Sequence, residues 1–153
     1  MRRAYRLEPA GGWPREAARG SVTLDYDERR RRRLRLATDA GEEFLLDLTR
    51  AAAMGEGDGL EFDDGRWIEV HAKPERLLEV TAPPDLLCRL AWHIGNRHIP
   101  AAIEPHRILI RDDHVLADML VLHGAKLRQV SEPFTPEPGA YDSRDANAHR
   151  HDR

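Results

Sequence analysis

The chain is nearly free of cysteine. Cys88 stands alone among 153 residues, which excludes an internal disulfide and any metal site built from clustered thiolates. Long apolar runs are also missing: nothing approaches the roughly 18 consecutive apolar residues that a membrane-spanning helix needs. The start, MRRAYRLEPAGGW, has basic residues with no apolar stretch behind them, and so reads without a secretory signal. A reducing cytoplasm is the expected setting. Charge of one sign is not in excess, because a net charge of −3 is too near neutral to imply an electrostatic partner. Aromatic residues make up 6% of the chain, and the strand-like segments RLLEVTA (76–82) and RILIRD (107–112) contain none. That removes the stacking platform on which RNA-recognition sheets depend. No phosphate-binding loop and no His-Glu-x-x-His pair occurs, which argues against nucleotide hydrolysis and a metal-dependent hydrolase.

What is present divides at Lys73-Pro74. The first part reads as strands: SVTLDY (21–26), RLRLAT (33–38), EFLLDL (43–48), and a hairpin GLEFDDGRWIEVHA (59–72) turning at Asp64-Gly65. Short strands separated by turns suggest a small sandwich or barrel. The arginine run Arg29–Arg33 can bind phosphates, but the carboxylates on both sides favour a solvated turn and strand edge.

After Lys73 the pattern changes. RLLEVTA is a strand, and Pro83-Pro84-Asp85 opens a helix with apolar positions Leu86, Leu87, Leu90, Ala91 and Ile94. Gly95 is placed to end it in a left-handed conformation, and Pro100 prevents a restart. Ala102–Glu104 and RILIRD are further strands. Asp112 or Asp113 caps a second helix, with apolar positions Val115, Leu116, Met119, Leu120 and Leu122, which ends at Gly124 before a last strand KLRQVS (126–131). The expected class is α+β. A small N-terminal all-β domain (1–73) precedes a β-α-β-β-α-β, ferredoxin-like domain (74–139) and a His-containing tail (140–153). The polar, proline-rich composition that reads as a mobile tail begins as early as Pro133.

Eight histidines are the remaining resource for binding chemistry. With cysteine scarce, imidazole is the available ligand for nickel, copper or zinc. His98 follows the first helix in a loop, where binding residues tend to sit, although an exposed loop histidine or one bonding a helix-end carbonyl fits equally well. One imidazole makes no tight site, but a two-fold dimer would supply the same residue twice. His93 and His123 lie at helix ends, where a cation favours the dipole and the last carbonyls, and both read as helix-end residues. His114, in the first turn of the second helix, is more comfortable neutral and is a secondary ligand candidate. His71 and His106 have no partners that the sequence names. His149 and His151 form His-x-His near the C-terminus, able to join a metal held elsewhere, or simply a polar terminus. Histidine ligands must be neutral, so metal affinity should fall as pH drops through about 6.5.

HIGNRHIPAAI, then DHVLADML, then PFTPEPGAY and a His-bearing tail together resemble the UreE family of urease accessory proteins, the nickel metallochaperones of urease maturation. The likeness runs in order from about Leu77 to Tyr141. It implies a small β domain able to bind peptides, followed by a ferredoxin-like metal domain that forms a homodimer. The family's central metal histidine falls on His98, brought in from both chains, with His149 and His151 completing or feeding the site and His114 matching a secondary histidine of some relatives. Asp112 stands where some relatives have another histidine, so a second site within one subunit is not implied. Two tail histidines imply delivery of Ni²⁺ with little storage. Zn²⁺ or Cu²⁺ would also bind such ligands. The implied partners are a urease accessory GTPase and, through it, apo-urease, with no catalytic activity of the chain's own. A peptide-binding or general metal-buffering chaperone is the alternative.

Overall fold

The structure, a computed structural model, describes residues 1–139. Two compact units are present, Met1–Lys73 and Pro74–Pro138. Among the described residues no helix is long and apolar enough to cross a membrane.

The first unit holds strands β1 (Arg2–Glu8), β2 (Ala18–Leu24), β3 (Arg33–Ala37), β4 (Glu43–Asp47), β5 (Gly59–Phe62) and β6 (Trp67–Ala72), in one sheet of order β2-β6-β5-β1-β4-β3. The sheet curls on itself: Asp39, just past edge strand β3, donates its N–H to Ser21 of the opposite edge at 2.8 Å. Its carboxylate accepts from the Ser21 and Thr23 hydroxyls at 2.6 and 3.0 Å. Val22, Leu24, Phe44, Leu46, Leu60, Ile68 and Val70 fill the interior.

The N-terminal basic segment is an interior strand, a place its composition does not suggest. β1 pairs with β4 and β5, and its arginines are tolerated because each meets carboxylates. Arg2 lies 3.0 Å from Glu42 and 3.1 Å from Asp64, and Arg3 lies 2.9 Å from Asp47. SVTLDY ends as a strand at Leu24, because Asp25 and Glu28 form a reciprocal capping box that starts the single helical turn α1 (Tyr26–Arg29). The arginine run is not uniformly solvated. Arg29 is 2% exposed and donates to the carbonyls of Leu24 and Met54, whereas Arg30 to Arg33 are exposed.

The second unit has strands β7 (Pro74–Thr81), β8 (Ala102–Ile103), β9 (Ile108–Arg111) and β10 (Lys126–Pro133), in the order β10-β7-β9-β8. Helix α2 (Pro84–Asn96) lies between β7 and β8, and α3 (His114–Leu122) between β9 and β10. This is the ferredoxin-like topology. Strand alternation sends Leu78, Val80, Ile108 and Ile110 to the helix side, where they meet Leu87, Leu90, Ile94, Leu116 and Leu120. Asp113 is the residue that caps α3, accepting from the N–H groups of Val115 and Leu116. Val115 and Leu122 do not join the helix's buried stripe, being 67% and 84% exposed.

The sheet's other face carries an ionic hub. Arg107 reaches Glu132 at 2.7 Å, Glu79 at 3.0 Å and Glu104 at 3.2 Å, so one guanidinium in the β8–β9 turn ties that turn to β7 and β10. Bonding to Arg107 holds the carboxyls of Glu132 and Glu79 below the usual glutamate value. Just past β10, Phe134 is fully buried, with the Arg111 guanidinium 5.9 Å from its ring centroid. The Glu137 N–H donates to the Ala101 carbonyl at 2.8 Å. The chain past Pro133 is therefore ordered at least to this bond. Its composition reads as tail, yet a single aromatic anchor outweighs the surrounding prolines.

Two outcomes follow. Phe134→Ala should lower stability by about 3–5 kcal/mol, read from the urea midpoint of the second unit's transition. Depressed folded values mean that the Arg107 network stabilises above the ordinary glutamate value of about 4.3 and is lost as pH falls through the lower folded values. Wild type should therefore lose melting temperature more steeply than Arg107→Met as pH falls below the ordinary glutamate value.

Candidate metal centre

Two helices of the second unit end with the same hydrogen bonds and different residues. At the end of α3, the Ala125 N–H donates to the Leu120 carbonyl at 3.0 Å and the Gly124 N–H to Val121 at 2.9 Å. Gly124 has φ +98°. This is a Schellman ending with glycine at its left-handed position. At the end of α2, the Ile99 N–H donates to the Ile94 carbonyl at 3.4 Å and the His98 N–H to Gly95 at 3.0 Å. Here the left-handed residue is His98, with φ +58°, the one non-glycine residue with positive φ among the described residues.

Gly95 does not terminate α2, contrary to its expected role. It lies inside the helix, which continues through Asn96, and the reversal falls three residues later. Nothing lies within 4 Å of where its Cβ would be, so packing does not require glycine there. The Arg97 side chain donates to the His93 carbonyl at 3.1 Å, satisfying one of the orphan acceptors at the helix end. Ile99 packs against the helix-side core with Ile94, the apolar contact that accompanies such endings. The loop is thus held on three sides, while the His98 side chain is exposed.

An L-residue in this conformation costs on the order of 1 kcal/mol. Histidine is among the few types enriched there, but glycine would serve the backbone better. The imidazole is therefore kept at a position where the fold alone does not want a side chain.

His114 is the first residue of α3 and exposed. His149 and His151 lie outside the described residues. Among the described residues, no three His, Cys, Asp or Glu side chains converge as a metal-binding group. His71, without a nameable partner in the sequence, lies 2.8 Å from Glu56. His106 is exposed before Arg107. A contact that sequence spacing does not reveal joins His93 and His123, whose ring centroids are 4.8 Å apart; nothing in a linear pattern places residue 123 beside residue 93.

By fold, this is a two-unit α+β protein with a ferredoxin-like second unit that presents a histidine from a strained helix end. The N-terminal domain of the UreE urease accessory proteins matches residues 4–73, and their C-terminal domain matches residues 75–153. The urease accessory protein UreE of Rhodobacter capsulatus is 48% identical over 151 residues, 99% of this chain and 94% of that one. That of Ruegeria pomeroyi is 51% identical over 145 residues, 95% of each chain. That of Beijerinckia indica is 45% identical over 152 residues, 99% of this chain and 87% of its own. The chain belongs to the UreE family of urease accessory proteins.

The paired helix ends give an internal comparison. His98→Gly should leave the melting temperature unchanged or raise it, by up to about 1 kcal/mol of stability, because it relieves the left-handed backbone. Gly124→Ala should lower stability by about 1–2 kcal/mol, since φ is unfavourable and the new Cβ would sit 3.2 Å from Leu86 Cδ2. Thermal melts followed by circular dichroism check both.

Proposed function

We propose that this protein binds Ni²⁺ through His98 and delivers it for assembly of the urease active site. The observation that carries this reading is the exposed imidazole held at a left-handed helix end in a chain of the UreE family. The family is named for urease accessory function, and a backbone position that favours glycine but keeps histidine is a place where strain is retained for a use.

One imidazole is a weak ligand, so two copies of the chain would each contribute His98 to a shared ion. Exposed apolar side chains on α2 and α3, with Trp92 63% and Leu122 84% exposed, support a homodimer formed through the second unit. His149 and His151 would complete or feed the shared site. The Glu137–Ala101 hydrogen bond favours this, because it fixes the chain leading to the tail only three residues from His98 in sequence. His114 is a secondary ligand.

Ni²⁺ is cargo here. Few imidazoles and open coordination positions suit capture followed by release, and Cu²⁺ or Zn²⁺ would compete by affinity order, so selectivity rests on geometry and on the docked partner. The receiving partner is a urease accessory GTPase and, through it, apo-urease. The Met1–Lys73 unit would serve partner or peptide binding, and the whole would act in the cytoplasm.

Calorimetric nickel titration of wild type, His98→Gly and a chain ending at Ala148 tests the reading. His98→Gly should lose the tightest site while keeping its fold, and the shortened chain should bind more weakly or hold fewer ions. Nickel binding by His98→Gly equal to wild type would remove His98 from the site.

A further inference from the structure

We infer that His93 and His123 form a second cation site, internal to one chain, for a borderline divalent ion such as Ni²⁺, Cu²⁺ or Zn²⁺. It is separate from the shared site proposed at His98 and does not depend on a dimer.

Three features support it. First, the two rings come together from different helices, with centroids 4.8 Å apart and planes inclined by 49°. The inclination leaves the rings unstacked, so nitrogens of both can turn towards a common ion. Second, His123 Nδ1 lies 2.9 Å from the Met119 carbonyl oxygen. A carbonyl only accepts, so Nδ1 carries a proton, and in the neutral ring Nε2 is the nitrogen with the lone pair. An imidazole bonded to a backbone carbonyl through one nitrogen is oriented and made more basic for a metal at the other. His93 is complementary, because no group among the described residues bonds its ring nitrogens while its own carbonyl receives Arg97. Third, His93 lies in the last turn of α2 and His123 caps α3. The negative end of a helix dipole favours a cation.

Simple helix-end capping accounts for the His123–Met119 bond. It does not account for a second imidazole turned onto the first. Two imidazoles fixed on one folded surface act as a chelate, the entropy of bringing them together having been met by the fold. The remaining coordination positions would hold water or a donor from a partner, which suits an ion in transit.

Trp92 provides a local reporter. Its ring centroid lies 5.2 Å from that of His93, and Trp13 and Trp67, the other tryptophans, belong to the first unit. Open-shell Ni²⁺ bound at His93 should quench Trp92 fluorescence.

The experiment uses the full chain carrying His98→Gly, with Ni²⁺ as the probe, and reads tryptophan quenching together with bound nickel from equilibrium dialysis. Saturable quenching should persist in this background. Adding His123→Gln should abolish it and remove one nickel per chain, and adding His93→Gln should do the same. Quenching and stoichiometry unchanged by both second substitutions would overturn the site, as would a lowered melting temperature with nickel binding intact, which is the signature of capping alone. These outcomes are distinct from failure of the His98 reading, which appears only when His98→Gly is compared with wild type.

Discussion

The end of α2 is the constraint on which the site depends. A helix must satisfy its last carbonyls, and α2 does so by reversing its backbone hand at one residue, so that the Ile94 and Gly95 carbonyls receive the N–H groups of Ile99 and His98. That reversal needs a positive φ. The residue that supplies it is His98, and with the backbone fixed in this way the imidazole is left exposed beyond the helix. The matching end of α3 uses Gly124 for the same purpose with the same bonds, so the fold itself shows what the position would hold if only the turn mattered.

The sheet keeps that helix end in register. On one face Leu78, Val80, Ile108 and Ile110 meet both helices, with Ile94 and Ile99 at the edge nearest His98. On the other, Arg107 draws three glutamates from separate elements to one guanidinium. Just past β10, Phe134 anchors the chain that continues to Glu137. The two faces use different physics. Burial of apolar area fixes the helices, and charge-assisted hydrogen bonds fix the strand ends and the turn between β8 and β9.

The proposed transfer of Ni²⁺ would make an unusual demand on such a scaffold. A resident structural metal is enclosed by a full set of ligands, whereas cargo must be held by few ligands and remain reachable. Exposed or half-buried imidazoles at helix ends suit that demand, because the protein orients them without enclosing them. In the proposed reading His98 would do so through symmetry between chains, and the His93–His123 pair through packing within one chain. Membership of the UreE family ties the chain to urease maturation.

Local patterns in the sequence determined the two helices, a cap at Asp112 or Asp113, the hairpin turn at Gly65 and the α+β class, because these rest on periodicity and on contacts a few residues apart; the structure chose Asp113. The capping box at Asp25 and Glu28 and the central strand Arg2–Glu8 escaped the same reading. The first is a short local signal lying inside a strand-like run. The second becomes a strand only through pairing with β4 and β5 and through ion pairs to Glu42, Asp47 and Asp64, all distant in sequence. Likewise, apolar periodicity and the stop signals at Gly95 and Pro100 placed His98 after a helix, but tertiary packing decided that Gly95 stays helical and His98 takes the left-handed turn. It also decided that Phe134 is buried and that His93 meets His123. Each of these depends on which surfaces meet when the sheet forms, and a linear sequence carries no measure of that.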